Sequence, residues 1–272
     1  MSYIAITIAT RPELTDMLVA QLSEAGFEGF EEQTTALVAY IPEQDFNEAA
    51  LLEILQQHEV SFTRETIAKT NWNAVWESNF QPVQVGDFCG IRADFHPPFT
   101  PAPTYEIVIT PKMSFGTGHH ATTFCMIQLM QALDFKDKQV FDFGTGTGIL
   151  AILAEKLGAA QVDAIDIDEW AVTNTEENIT ANQGKLVKVW QADSLEAVKD
   201  TYNIVLANIN RNILLAFMGD MRRLLLPGGI LLLSGIMPAD EAAILASAQA
   251  QGFDLQTKLD KDNWLAMQFI AG

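Results

Sequence analysis

The chain has 272 residues, 49% of them hydrophobic, enough for one catalytic domain plus a smaller second one. Its 16 lysines and arginines face 35 acids, for a net charge of −19, which argues against bare nucleic acid as substrate because phosphate binding needs clustered cations. A basic protein is the more natural partner, while acidity for solubility alone accounts for the charge equally well.

The start Met1-Ser2-Tyr3-Ile4-Ala5 lacks a basic flank and soon meets Arg11 and Glu13, so it has no signal pattern. Apolar runs such as Ile230-Leu231-Leu232-Leu233 are too short to span a bilayer. Cys89 and Cys125 have neither metal-ligand nor disulfide-framework spacing and read as small buried hydrophobes. Together these features predict a soluble protein of the reducing cytoplasm.

Residues 1–70 read as a unit of their own. Tyr3 to Ile8 alternates as a strand; Pro12-Glu13 opens a helix with apolar positions Leu14, Met17, Leu18 and Leu22, which Gly26 stops. Phe27 to Glu31 and Thr35 to Ile41 are strand-like, and a second helix from Asp45 to His58 is expected to bury Phe46, Ala49, Leu52 and Leu55. A last strand, Val60 to Ala68, completes the order β-α-β-β-α-β, the ferredoxin-like split motif. Some RNA-binding modules share that topology, but three cations (Arg11, Arg64 and Lys69) stand against 12 acids in this unit, which disfavours RNA readout.

Residues 71–78 form a linker, where Trp72 and Trp76 lie one helical turn apart and suit packing better than substrate contact. Pro97 to Pro103 is a stiff loop between strands at Phe88 to Asp94 and Tyr105 to Thr110. From Phe115 onward strands and helices alternate, predicting a mostly parallel sheet covered on both faces. The helices are expected at Ala121 to Leu133, Ile149 to Leu157, Glu169 to Asn182 and Ile213 to Leu224. Phe253 to Leu259 and Trp264 to Ile270 then alternate about a polar turn, as an antiparallel hairpin.

The most informative stretch is Val140-Phe141-Asp142-Phe143-Gly144-Thr145-Gly146-Thr147-Gly148-Ile149-Leu150, an apolar strand that empties into three alternating glycines and then a helix. Glycines there let the backbone turn tightly and approach a ligand. The spacing G-x-G-x-G, with Asp142 two residues before the first glycine, departs from the dinucleotide pattern. A carboxylate beside the loop opposes a pyrophosphate but suits the amino group and sulfonium of S-adenosylmethionine. Asp166, 22 positions beyond Gly144 at the end of the next strand, stands where a carboxylate accepts both ribose hydroxyls.

With Met113-Ser114-Phe115-Gly116-Thr117-Gly118-His119-His120-Ala121-Thr122-Thr123 upstream of this loop and Leu206-Ala207-Asn208-Ile209-Asn210 closing the fourth strand, the chain resembles the class I S-adenosylmethionine-dependent methyltransferases, and within them the ribosomal protein L-eleven (L11) methyltransferase family. The resemblance covers essentially the whole chain. It implies a Rossmann-like, mostly parallel sheet ending in the hairpin, over 79–272, and an N-terminal ferredoxin-like α+β domain, over 1–70, that grips the ribosomal protein. It also implies S-adenosyl-L-methionine as cofactor and transfer to lysine and N-terminal amines of L11.

In that fold Gly144 and Gly146 line the methionine portion and Asp166 holds the ribose, while Thr123 or Thr122 reaches the cofactor from the helix start. Thr122 alternatively caps its helix, and Phe115 either covers the sulfonium or belongs to the core. Asp193 reads as an adenine contact or as an N-cap. Asn208 is placed beside the reacting methyl, both as catalytic residue and in contact with cofactor, because an amide there can accept the amine's hydrogens and aim its lone pair. Ile209-Asn210 replaces the Pro-Pro-aromatic of amide and base methyltransferases, which disfavours glutamine and nucleobase substrates. His119-His120 lacks companions for a metal site, and no metal is expected. The competing readings are a methyltransferase for another basic protein or a small amine, and a non-catalytic cofactor-binding assembly module.

Overall fold

Ile4, Ile6 and Ile8 recur with a period of two, and β1 (Tyr3–Ala9) buries all three on one face. β1 lies between β3 (Ala36–Pro42) and β4 (Phe62–Ile67), with β2 (Gly29–Gln33) outside β3, in an antiparallel sheet of order β2-β3-β1-β4. Helices α1 (Pro12–Glu24) and α2 (Glu48–Gln56) add Leu18, Leu22, Leu51 and Leu55 to its core. The element order is the split motif expected from the sequence.

The computed structural model is described over residues 3–10, 12–33, 35–56, 58, 60–67, 81–111 and 120–272. The expected linker with Trp72 and Trp76, and the glycine-rich segment with Phe115, lie outside these residues. Two compact units make up the chain, Met1–Phe80 and Gln81–Gly272.

Two expectations in the first unit need correction. The second helix starts at Glu48, not Asp45, because Asn47 Oδ1 accepts the Ala49 and Ala50 amides at 3.0 and 3.2 Å and caps it there. With the helix so started, its buried stripe is Leu51 and Leu55, and Leu52 is 39% exposed. Met17 of α1 also faces outward, beside the fully buried Leu18.

In the second unit β5 (Val83–Val85), β6 (Cys89–Ala93) and β7 (Tyr105–Ile109) form a small mixed sheet. The main sheet contains β8 (Gln139–Phe143), β9 (Gln161–Asp166), β10 (Val187–Gln191), β11 (Tyr202–Asn208), β12 (Leu225–Ile236), β13 (Phe253–Lys261) and β14 (Trp264–Ala271). Their order is β10-β9-β8-β11-β12-β14-β13, parallel from β10 to β12, with β14 antiparallel to both neighbours.

Helices α3 (Ala121–Gln131), α4 (Ile149–Lys156), α5 (Glu169–Ala181), α6 (Arg211–Leu224) and α7 (Glu241–Ala250) pack against this sheet. Phe141, Val205, Leu231 and Leu233 share a core with Leu214 and Met218 of α6 and Ile244 of α7. The alternate residues Val140, Leu206 and Leu232 are equally buried, so the opposite face is covered as well. Strand order reverses between β8 and β11, which opens a crevice beyond their carboxyl ends.

The stripe of α2 is testable in the full chain. Leu51→Ala should cost about 2–5 kcal/mol of stability and Leu52→Ala no more than about 0.5 kcal/mol in urea unfolding. Equal losses would contradict the helix phase described.

Candidate functional site

β8 delivers the chain into the crevice through a turn built almost wholly of backbone. The Gly144 and Thr145 amides both donate to Ile165 O, at 2.9 and 3.0 Å, and the Gly148 amide donates to Thr145 O at 2.9 Å. Gly144 has φ +77°, and a Cβ on it would lie 2.3 Å from Ile209 Cγ2, so no other residue fits without displacing its neighbour. α4 follows with Gly148 as N-cap and no side chain capping it.

A cavity of about 500 Å³ lies over this turn, a size that suits a cofactor-sized ligand. Gly144, Gly146, Asp166, Asn208, Thr123 and Thr122 all line it, so the structure brings the site residues named from sequence into one wall. Asp166 Oδ2 accepts the Gly146 amide at 2.8 Å and Oδ1 accepts the Asp168 amide at 3.1 Å. A carboxylate has about four acceptor positions, so these two bonds aim the group and leave capacity on each oxygen. Asn208 Nδ2 donates to Thr123 Oγ1 at 3.3 Å, joining the end of β11 to the start of α3. Its Oδ1 is buried and has no hydrogen-bond partner among the described residues.

Three readings from sequence change. Asp142 does not line the cavity: it is 1% exposed beneath the loop, where Thr145 Oγ1 donates to its Oδ2 at 2.7 Å. Burial, helped by the charge of Asp166 and opposed by the Thr145 bond, pushes its carboxyl up to about 7. The electrostatic case for a sulfonium ligand therefore rests on Asp166 and not on Asp142. No helix follows Asp193, which lines the cavity instead of capping one. The N-cap of α3 is His120, not Thr122: its Nδ1 accepts the Thr122 amide at 3.3 Å and lies 2.8 Å from the Thr122 hydroxyl.

Other lining residues were not singled out in the sequence. The His120 ring meets Trp264 edge-on at 4.8 Å, and both line the cavity. Only the pairing of β14 with β12 brings Trp264 there, and no local pattern announces it. Asn210 lines the wall while its Oδ1 caps α6 through the Ile213 amide at 3.2 Å, a cap legible three residues ahead of that helix's apolar face. Gly235 has φ +88°, and a Cβ on it would stand 2.1 Å from Ile209 O.

Among the described residues no group of three or more His, Cys, Asp or Glu side chains could hold a metal ion. Both cysteines are buried, and desolvation pushes the Cys89 thiol up to about 12, so neither is a poised nucleophile. Among the described residues no helix is long and apolar enough to cross a membrane.

A parallel sheet of this order with an antiparallel hairpin, a glycine turn and an acid at the end of the second strand define a class I methyltransferase. The family described as ribosomal protein L11 methyltransferase (PrmA) matches residues 3–271. A ribosomal protein L11 methyltransferase of Porphyromonas gingivalis is 42% identical over 99% of this chain and 98% of its own length. Another, from Phocaeicola vulgatus, is 39% identical over 99% of each. The crystal structure of a ribosomal protein L11 methylase from Lactobacillus delbrueckii subsp. bulgaricus aligns with a TM-score of 0.64 at 27% identity, covering 70% of this chain and 98% of that one. The chain belongs to the ribosomal protein L11 methyltransferase family.

The raised carboxyl of Asp142 makes stability depend on pH. From its ordinary value of 3.8 up to about 7, the native state keeps a proton that the unfolded chain has released, so stability falls as pH rises through that window. Asp142→Asn keeps an acceptor for Thr145 and removes the titration. Thermal unfolding from pH 4 to 8 should show the variant gaining on the parent as pH rises; parallel profiles would refute the assignment.

Proposed function

We propose that this chain transfers methyl groups from S-adenosyl-L-methionine to lysine side chains and the N-terminal amine of ribosomal protein L11. The observation that carries the reading is Asn208 Oδ1, a buried acceptor without a partner among the described residues, on a residue of the wall that also holds Asp166 and the glycine turn. An unsatisfied buried carbonyl costs about 1–3 kcal/mol, and a site retains one where a ligand N–H completes it. The spare acceptor capacity of Asp166, beside the glycine turn in the same wall, fits the cofactor in the same way.

S-adenosylmethionine, when bound, supplies an electrophilic methyl on its sulfonium. Asp166 would hold the two ribose hydroxyls on the acceptor capacity its backbone bonds leave free, and Gly144 and Gly146 would admit the methionine portion. Thr123 Oγ1, which accepts the Asn208 amide N–H, would hold that side chain while Oδ1 accepted a hydrogen of the incoming amine without removing a proton. That aims the lone pair along the line of displacement. Phe143, Ile209, Ile213 and Phe217 line the same wall with apolar surface, which limits water at the reacting pair.

Residues 1–70 serve as the arm that recognises the ribosomal protein, 71–78 as the linker and 79–272 as the methyl-transferring domain. Three cations against 12 acids in that arm suit a basic protein partner rather than RNA, and the reaction belongs in the cytoplasm.

Incubation with labelled S-adenosylmethionine and purified L11, followed by peptide mass spectrometry, should place methyl groups on lysine and the α-amine; label confined to other proteins of a ribosomal extract would redirect the substrate. Asn208→Ala should slow single turnover about a hundredfold at saturating cofactor and substrate, with little change in cofactor affinity. An unchanged rate would return Asn208 to a polar strand end.

A further inference from the structure

α5 and its C-cap carry three asparagines at helical spacing, Asn174 and Asn178 in the helix and Asn182 at the cap, in a position where apolar residues would pack with less penalty. Asn174 and Asn178 are fully buried, and so is Thr175 between them. Their polar groups are directed at backbone. Thr175 Oγ1 donates to Gly146 O at 3.0 Å, and Asn178 Nδ2 donates to Thr147 O at 2.8 Å. Two successive carbonyls of the glycine turn are thus drawn toward α5. A trans peptide holds C=O and the next N–H antiparallel, so pinning Gly146 O turns the Thr147 N–H away from that helix.

The other side of the seam runs to β7. Asn178 Oδ1 accepts the Thr110 amide at 2.8 Å, Asn174 Nδ2 donates to Thr110 O at 3.0 Å, and Asn182 takes both the amide and the carbonyl of Val108 at 3.0 and 2.6 Å. Among the described residues Asn174 Oδ1 has no partner, although it is buried. Asn178 bonds both Thr110, just past β7, and the glycine turn.

We propose that Asn178 and Thr175 are positioning residues for the cofactor turn: their bonds to Thr147 O, Gly146 O and Thr110 fix the peptide planes that the cofactor meets. This rests on the reading of that turn as the S-adenosylmethionine site. Neither residue lines the cavity, so neither touches the cofactor itself. Asn182 clamps the same strand without reaching the turn, and it separates positioning from stability.

The test is calorimetric binding of S-adenosylhomocysteine to the full chain and three variants, each measured well below its own unfolding midpoint. Ionised, Asn178→Asp keeps the acceptor for Thr110 but loses the donor to Thr147 O, so it is measured above the pH at which its buried carboxyl releases its proton. It should weaken binding about tenfold or more, with the KM for S-adenosylmethionine raised and that for the protein acceptor unchanged. Thr175→Val, nearly isosteric, should weaken binding by a few-fold. Asn182→Ala should lower the unfolding midpoint yet leave affinity within about twofold.

Parent-like affinity in Asn178→Asp, or an equal loss in Asn182→Ala, would overturn the positioning role. If the parent chain itself failed to bind S-adenosylhomocysteine, the cofactor reading would fall and this inference with it.

Discussion

Ile209 has no room on either side. Gly144, at the exit of β8, and Gly235, in β12, both face it at distances where a Cβ would collide, 2.3 Å from its side chain and 2.1 Å from its backbone oxygen. The end of the fourth strand is thereby held between its two neighbours by contact, with no side chain as spacer. Asn208 before it and Asn210 after it inherit that rigidity. One presents its amide to Thr123 and the cavity, and the other lines the wall while capping α6. A loop that depended on its own hydrogen bonds would hold neither amide so firmly.

Around that fixed point the acids divide their work by burial. Asp166 stays at the cavity wall, with both oxygens oriented by backbone amides and both still able to accept. Asp142, beneath the turn, has its charge disfavoured by desolvation and by Asp166, and it accepts from the Thr145 hydroxyl and the Ala151 backbone amide. One carboxylate faces the cavity and the other supports the turn. The distinction comes from where each strand ends, since Asp166 closes β9 and Asp142 sits one residue inside β8.

Most of the architecture was legible because it is written in local patterns. The alternation of Ile4, Ile6 and Ile8, the glycine turn after Val140 to Phe143 and the hairpin at residues 253–270 each carry their own period or breaker. Cap chemistry shifted what periodicity alone could not place: Asn47 delayed α2, so Leu51 replaced Leu52 in the core. The carboxylate of Asp142 looked like a ligand group because sequence shows a residue's neighbours in the chain and not its depth. Trp264, Gly235 and the α5 asparagines were missed for a related reason, since each acts on a segment far away in sequence and is reached only through strand pairing or helix packing.

The pairing of β8 with β11 joins Val140 to Ile204 across several intervening elements, and the cavity sits where those two strands end. Such non-local contacts form late in folding, because the loop between them must close before they are rewarded. The cavity is therefore a product of the finished sheet, absent from any partly folded chain whose halves have not met. A ligand that occupies it binds only the native state and adds about 2.7 kcal/mol when present at a hundred times its dissociation constant. A cofactor bound there would thus act on this chain twice, as the source of the group transferred and as a brake on its unfolding.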